Sequence, residues 1–490
     1  MIYSTFVVEL AENLMKVIKL MKKFIQEVIS DFKLSSDKET LKHLMAEGAI
    51  APLVFSLAIC SILSMLIGAI YNASDTYFVS QLGVSASAAV GIVYSLMAII
   101  DTIGATMGLG AACNISRAIG AGEYDKANYF ATTAIFLSFF ITAIIAIVVY
   151  LKLETFLFFI GSTHTILPQA TDYAKYILFA APFMASCLTM NSILRSEGHA
   201  TFALVGLLIG GLLNMALDPI FVFVLSLGTK GAAIGTAIGE IVSCGIMLQF
   251  LLTKKSIVQF SFRSLNVFSK KVFSIFTLGL PTVIRHGLLI ASSITANKVT
   301  VAYGDSAVAA MSIVGRVVLF FGATIIGLGH GMAPVVGFNY GKKQFCRVLD
   351  CYYTTMKFGF FVTVITSSLA LVFAPELIAF FNSDPSVVQI GTFTLRCRTI
   401  FILLFPIMCF ANTLIQYMGD ARSASFLAAL NHGLLFFPAI LILPRLFGLL
   451  GVEMAQAVTN VCTIMIYIPF IIHYVKYLKT SERNLANLMA

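Results

Sequence analysis

Runs of roughly twenty apolar residues, cut by Gly, Pro and charged clusters, recur along nearly the whole 490-residue chain. They fall near 55–78, 87–110, 127–151, 173–195, 201–226, 231–252, 273–302, 307–335, 351–375, 388–417, 423–444 and 450–475. Each is long enough to cross the ~30 Å hydrocarbon core of a bilayer as one helix. The pattern predicts an all-α polytopic membrane protein with twelve transmembrane helices. Residues 1–34 differ: Phe6, Leu10, Leu14, Val17, Met21, Phe24, Val28 and Phe32 recur at helical spacing among Lys16, Lys19, Lys22 and Lys23. That segment reads either as an amphipathic helix on the membrane surface or as a poorly ordered extension.

Composition narrows the class. The chain is 59% hydrophobic and 11% charged, with a mean hydropathy of +0.94. Soluble domains carry about 25% charged residues, so a large soluble enzyme is excluded, and no stretch is long enough for an ectodomain. The net charge of +9 does not imply nucleic acid, because Lys and Arg sit mostly in short loops without the basic-aromatic interleaving of a nucleic-acid groove. The nine cysteines are scattered, and neither disulfides nor a Cys/His metal site is expected.

The loops give an orientation. With both termini cytoplasmic, 22 basic residues fall on the cytoplasmic side, and only Lys152, Lys175, Lys230 and Arg445 on the other. The expected division is a cytoplasmic extension (1–48), an N-lobe of six spans (49–253), a basic cytoplasmic linker (254–271), a C-lobe of six spans (272–476) and a cytoplasmic tail (477–490).

Two lobes are expected because the chain repeats itself. Gly108-Leu109-Gly110 and Gly122 match Gly327-Leu328-Gly329 and Gly341 at an offset of 219. Asn191 and Gly198 match Asn412 and Gly419 at 221, Gly228 and Gly231 match Gly448 and Gly451 at 220, and Gly83 matches Gly304 at 221. Six spans per copy give both copies one orientation, related by a pseudo-two-fold along the membrane normal, with a substrate path between them.

A carboxylate at mid-span costs about 2.5–3.5 kcal/mol on insertion scales, so each asks for a reason. Asp75 corresponds to Ala296, Asp218 to Ala439 (or to Phe437 if the prolines are aligned), Thr236 to Gln456 and Glu240 to Asn460. Glu453, facing Ala233, runs the other way and is expected to be solvated at the outer end of its span. The first copy therefore keeps acids where the second has none, which points to an ion site in the N-lobe.

Asn214 and Asp218 share a helix face, as do Thr236 and Glu240. Pro219 disturbs the helix beside Asp218. Carboxylate, amide and hydroxyl oxygens suit a proton or a hard cation such as sodium. The alternatives are that Asp218 stabilises the kink, that Asp75 caps a helix end and that Glu240 pairs locally. Asp101 and Glu240 stand as secondary candidates. Arg285, Arg316 and Arg396 are candidate cavity cations that would receive an anionic substrate group, while Lys298, Lys357 and Arg398 also lie within spans. Gly231, Gly235 and Gly239 give span 6 a small-residue packing face.

An ATP-driven engine is not visible: Gly337–Lys343 has three residues between its glycines and no Ser/Thr after the lysine. An ion gradient is the expected energy source, and no cofactor is expected. One charge crossing 100 mV supplies roughly 2.3 kcal/mol.

Several stretches resemble the multidrug and toxic compound extrusion (MATE) family. They are Tyr71–Gly83 (YNASDTYFVSQLG), Ile115–Gly122 (ISRAIGAG), Leu194–Gly198 (LRSEG), Leu213–Pro219 (LNMALDP) and Gly231–Thr236 (GAAIGT). The resemblance covers about 50–476. It implies a bacterial inner-membrane antiporter, expected to be monomeric, that exports amphipathic and often cationic organic compounds in exchange for protons or sodium. By position, Asp75, Asn214, Asp218 and Thr236 fall on that family's N-lobe cation or proton site. Cys60 departs from the family, which usually has a span-1 proline there, whereas its repeat mate Pro281 is retained. Two other readings stay open: a flippase for a lipid-linked or anionic precursor, marked by an unpaired basic cavity, and a membrane sensor or scaffold that transports nothing.

Overall fold

The computed structural model of the protein describes residues 38–253 and 255–489, so the reading of 1–34 lies outside the described residues. A short helix, α1 (Lys38–Glu47), precedes the spans. The N-lobe follows as α2 (Ile50–Ser80), α3 (Val84–Gly120), α4 (Tyr124–Leu151), the short α5 (Leu153–Phe159), α6 (Leu167–Ser196), α7 (Ala200–Pro219) and α8 (Thr229–Leu252). The C-lobe contains α9 (Val272–Val301), α10 (Asp305–Gly341), α11 (Phe345–Val372), the short α12 (Ala374–Phe381), α13 (Pro385–Ile402), α14 (Phe405–Met418), α15 (Ala421–Ala429), α16 (Phe436–Phe447) and α17 (Leu449–Met489).

Eleven described segments are long and apolar enough to cross a membrane, with the π-turn Ile220–Val224 extending α7 and Leu430–Leu434 joining α15 to α16. The twelfth span is broken. It consists of α13 and α14, parted at Leu403 and Leu404. Pro406 sits in the first turn of α14, where its missing N–H and fixed φ suit a helix start and not a helix interior. The last helix runs past 476 without interruption, so the stretch expected as a tail is helical to Met489.

The repeat is real, but its register is 221 throughout the second span of each lobe. Helices α3 and α10 both have 37 residues and start 221 apart. Gly108 and Gly110 therefore correspond to Gly329 and Gly331, and Gly120 to Gly341. The apparent offset of 219 arose because glycine recurs at 327, 329 and 331. The loops after spans 4 and 10 agree: Gly198 (φ 90°) and Gly419 (φ 101°) share the left-handed conformation that glycine adopts without a Cβ penalty. Asn191 and Asn412 donate to the carbonyls of Ala203 and Ala424, at 3.1 and 2.9 Å.

The lobes touch through pairs related by the pseudo-two-fold. Gly110 on α3 lies against Ile275 and Gly279 of α9. Reciprocally, a Cβ on Gly331 of α10 would fall 2.7 Å from the Val54 carbonyl oxygen and 2.6 Å from the Ala58 nitrogen on α2. Gly120 meets the Phe338 carbonyl and Gly341 the Arg117 carbonyl. These contacts lie toward the end bearing Gly122 and Lys343.

Helix α1 seals the closed end. Leu41 and Met45 are buried and pack on Gly198 of the N-lobe. On the other side, Arg347 of the C-lobe donates to the carbonyls of Met45 (3.1 Å) and Leu44 (3.4 Å) and also to that of Gly48. The linker adheres to the N-lobe. The carboxylate of Glu197 accepts from Ser256 Oγ (2.8 Å) and from the Ile257 N–H (2.8 Å). Gln259 N donates to Asn128 Oδ1 (2.7 Å), Ser261 N to Thr132 Oγ1 (3.2 Å) and Tyr129 OH to the Asn266 carbonyl (3.0 Å).

Candidate functional site

The polar side chains of the N-lobe site come from four helices. Asp218 closes α7 and is fully buried, with Asn214 one turn earlier on the same face. Past Pro219 the helix widens into the π-turn, with Leu225 N donating to the Ile220 carbonyl at 2.9 Å. Asn214 Nδ2 donates to Asp218 Oδ1 (3.0 Å) and to Thr236 Oγ1 of α8 (3.3 Å). Asp75, late in α2, accepts from Tyr173 OH of α6 at 3.2 Å. The Tyr173 hydroxyl also lies beside Thr236, between the Asp75 and Asp218 halves, and the two carboxyls lie close enough to feel each other's charge.

Three oxygens of this cluster are buried and accept no hydrogen bond: Asp75 Oδ1, Asn214 Oδ1 and Asp218 Oδ2. An unsatisfied buried acceptor is expensive, and more so when charged. None of the ion pairs among the described residues involves either aspartate. An all-oxygen set with unsatisfied acceptors fits a proton or a hard alkali cation and does not fit a soft transition metal.

Two residues of this site were not singled out from the sequence. Tyr173 lies in an apolar run like any core aromatic, and nothing local marks it. Gly235 belongs to the small-residue face of span 6, yet it also makes room for the acid: a Cβ there would lie 2.5 Å from Asp218 Oδ1. Its neighbour Gly239 serves helix packing instead, with a Cβ falling 2.7 Å from the Gly210 carbonyl oxygen.

Asp101 (α3) and Glu240 (α8) form a second, half-buried acidic pair, near Tyr71 and Cys187, whose thiol lies 3.2 Å from Ser243 Oγ. The C-lobe positions that mirror Thr236 and Glu240 are an amide network: Gln456 Nε2 donates to Asn460 Oδ1 and Asn431 Oδ1, each at 3.1 Å. Glu453 needs correcting. It is buried (5% exposed) and bonds Thr394 of α13, because the neighbouring helix covers the start of α17 and excludes water from it.

Of the candidate cavity cations, Arg285 is half-buried inside the C-lobe with Nη2 3.3 Å from Asn412 Oδ1. The structure does not bring Arg316 or Arg396 to it. Arg316 is exposed on α10, and Arg396 is exposed on α13, where Nε donates to the Leu371 carbonyl at 3.4 Å.

The sequence model of the MatE family matches this chain twice, over residues 60–220 and 281–441, about two thirds of its length. The chain belongs to the MatE family. It is therefore a multi-pass membrane transporter of small molecules and not an enzyme. The second match begins and ends 221 residues after the first, the offset that relates α10 to α3. The chain is similar to the multidrug export protein MepA of Staphylococcus saprophyticus, 26% identical over 392 residues, or 79% of this chain and 86% of the relative. It is also similar to MepA of Staphylococcus haemolyticus, 25% identical over 407 residues, 83% of this chain and 90% of that one. A MATE crystal structure in the bent conformation superposes with a TM-score of 0.85 at 23% identity, covering 90% of this chain and 99% of that one; this likeness establishes the two-lobe fold.

Proposed function

We propose that this MatE transporter is a multidrug efflux antiporter of the bacterial inner membrane. It exports amphipathic, often cationic organic molecules in exchange for protons or sodium, with both termini cytoplasmic. The observation that carries the coupling reading is the trio of buried, unsatisfied oxygens on Asp75, Asn214 and Asp218. A proton or sodium ion arriving there supplies the missing counter-charge. It also ties α2, α6, α7 and α8 together through Tyr173 and Thr236. Binding then favours one arrangement of the N-lobe helices over another, and such differential affinity is what lets an ion shift a conformational equilibrium. The MepA names support the multidrug reading, and the basic bias of the loops supports the orientation.

The test is flux in proteoliposomes with pH and sodium gradients imposed separately. Dye export should follow one of the two gradients in the wild type and lose that dependence in Asp218→Asn. Gradient-driven export undiminished in Asp218→Asn overturns the assignment.

A further inference from the structure

We propose that the seam between the lobes at the Lys343 end holds a site for a net-anionic phosphate group, which clamps the lobes together there. The inference goes beyond the transport reading and does not depend on it.

The repeat makes two equivalent notches at this seam. Helices α4 and α11 both have 28 residues and start 221 apart, so the register of α3 and α10 continues into them. One notch is filled by helix α1. Asn339 Nδ2 and Arg347 Nε both donate to the Met45 carbonyl at 3.1 Å, and Lys42 Nζ stands 4.4 Å from the centre of the Tyr124 ring. The repeat mates of Asn339, Arg347 and Tyr124 are Ala118, Lys126 and Phe345. Those three line the other notch, which is a cavity of about 430 Å³.

The charge of that cavity is positive. Arg117 and Lys126 come from the N-lobe and Lys343 from the C-lobe, with Asn114 and Tyr340 beside them. Glu123, the acid in the lining, is already paired with Lys126 at 2.6 Å. No ion pair among the described residues takes Arg117 or Lys343. Arg117 is held by Nε on the Cys113 carbonyl (3.0 Å), by Nη2 on Asn114 Oδ1 (2.9 Å) and by Nη1 across the seam on the Met418 carbonyl (3.4 Å). These bonds use only part of its N–H fork.

The backbone of Lys343 is an independent sign. It holds φ 62°, and its repeat mate Gly122 holds φ 77°. Glycine takes this left-handed conformation without a Cβ penalty, so the turn alone would be served better by glycine at 343 as well. Among the described residues, Ser226 is the only other non-glycine with positive φ. The strained residue is also the one that brings a C-lobe cation into the cavity, and such outliers gather at functional sites. A phosphate held between Arg117 and Lys343 would bridge the lobes through charge-assisted bonds. The first notch is closed in the same sense, with the negative carbonyl end of α1 against Arg347.

The phosphate comes from an anionic lipid headgroup or from solution, and two arms separate these sources. In one, full-length protein in phosphatidylcholine nanodiscs is titrated with radiolabelled inorganic phosphate. In the other, phosphatidylglycerol is added to the discs without soluble phosphate, and spin labels flanking the seam report the fraction closed at this end. Saturable binding in the first arm marks a soluble source, and a rising closed fraction in the second marks a lipid. In the arm that responds, Lys343→Gly should raise the half-saturating level by about tenfold or more, the effect of losing one charged partner. That variant installs the residue the backbone prefers, so its Tm should not fall and misfolding cannot imitate the result. Lys342→Ala removes the same charge from a neighbouring exposed residue outside the lining and should stay within about twofold of wild type. Silence in both arms, a level unchanged in Lys343→Gly, or an equal loss in the two variants overturns the proposal.

Discussion

Arg195 of the N-lobe and His330 of the C-lobe meet across the pseudo-two-fold seam, Nη1 to Nδ1 at 3.1 Å. The bond exists only while the lobes are together at this end, so it biases the protein toward the arrangement seen here. A hydrogen bond from a charged donor contributes about 1.5–3 kcal/mol. Arg195→Met should raise the population parted at this end by roughly tenfold or more. Spin labels flanking the seam, read by pulsed dipolar spectroscopy, would report it; an unchanged distance distribution would count against the role.

Gly341 and Gly120 allow the lobes to approach closely at this end. A side chain at Gly341 would run into the Arg117 carbonyl, which is backbone and cannot rotate away. Gly341→Val should hold this end ajar. Maleimide labelling of a cysteine placed at Ser116, buried in the closed seam, should accelerate in Gly341→Val and stay slow in the wild type.

At the acidic site, Gly235→Ala puts a methyl 2.5 Å from Asp218 Oδ1 and must displace the carboxyl. Ion-driven flux should fall sharply in a protein that still elutes as a single species. Tyr173→Phe is the milder probe, removing only the donor to Asp75 and the link to Thr236. One lost hydrogen bond of ~1 kcal/mol predicts about a fivefold weaker apparent affinity for the driving ion. Flux titrations against proton or sodium concentration would give both values.

The linker anchor has a pH signature. Burial pushes the Glu197 carboxyl up from 4.5 to about 7, opposed by hydrogen bonds from Ser256 and Ile257 and by the charge of Lys38. Between those two values the folded protein holds a proton that the unfolded chain has released. The stabilisation is complete below about pH 4.5 and is lost as pH rises through 7, with a span on the order of 3 kcal/mol. Glu197→Gln should remove this slope. The difference in Tm between wild type and variant, followed from pH 5 to 8, should change sign or size across the window; a constant difference would refute the assignment.

Much of this was legible in the chain. The apolar runs mark the spans because a bilayer crossing demands length and hydropathy together. The acids Asp75 and Asp218 stand out because their repeat mates are apolar. Tyr173 was hidden, since an aromatic ring in an apolar run carries no sign that its hydroxyl bridges two helices. The break at Leu403 and Leu404 was hidden as well, because apolar residues continue through it and only Pro406 hints at it. The burial of Glu453 depends on α13 folding over it, a long-range contact that periodicity does not encode.

The bonds that fasten 255–266 to the N-lobe leave a strap glued to one body along most of its length. What remains between that strap and the start of α9 is residues 267–271. Any swivel of the second body about the first must be absorbed in those few torsions. Lengthening or stiffening that short joint would retune the stroke of the machine while leaving the ion and cargo chemistry intact.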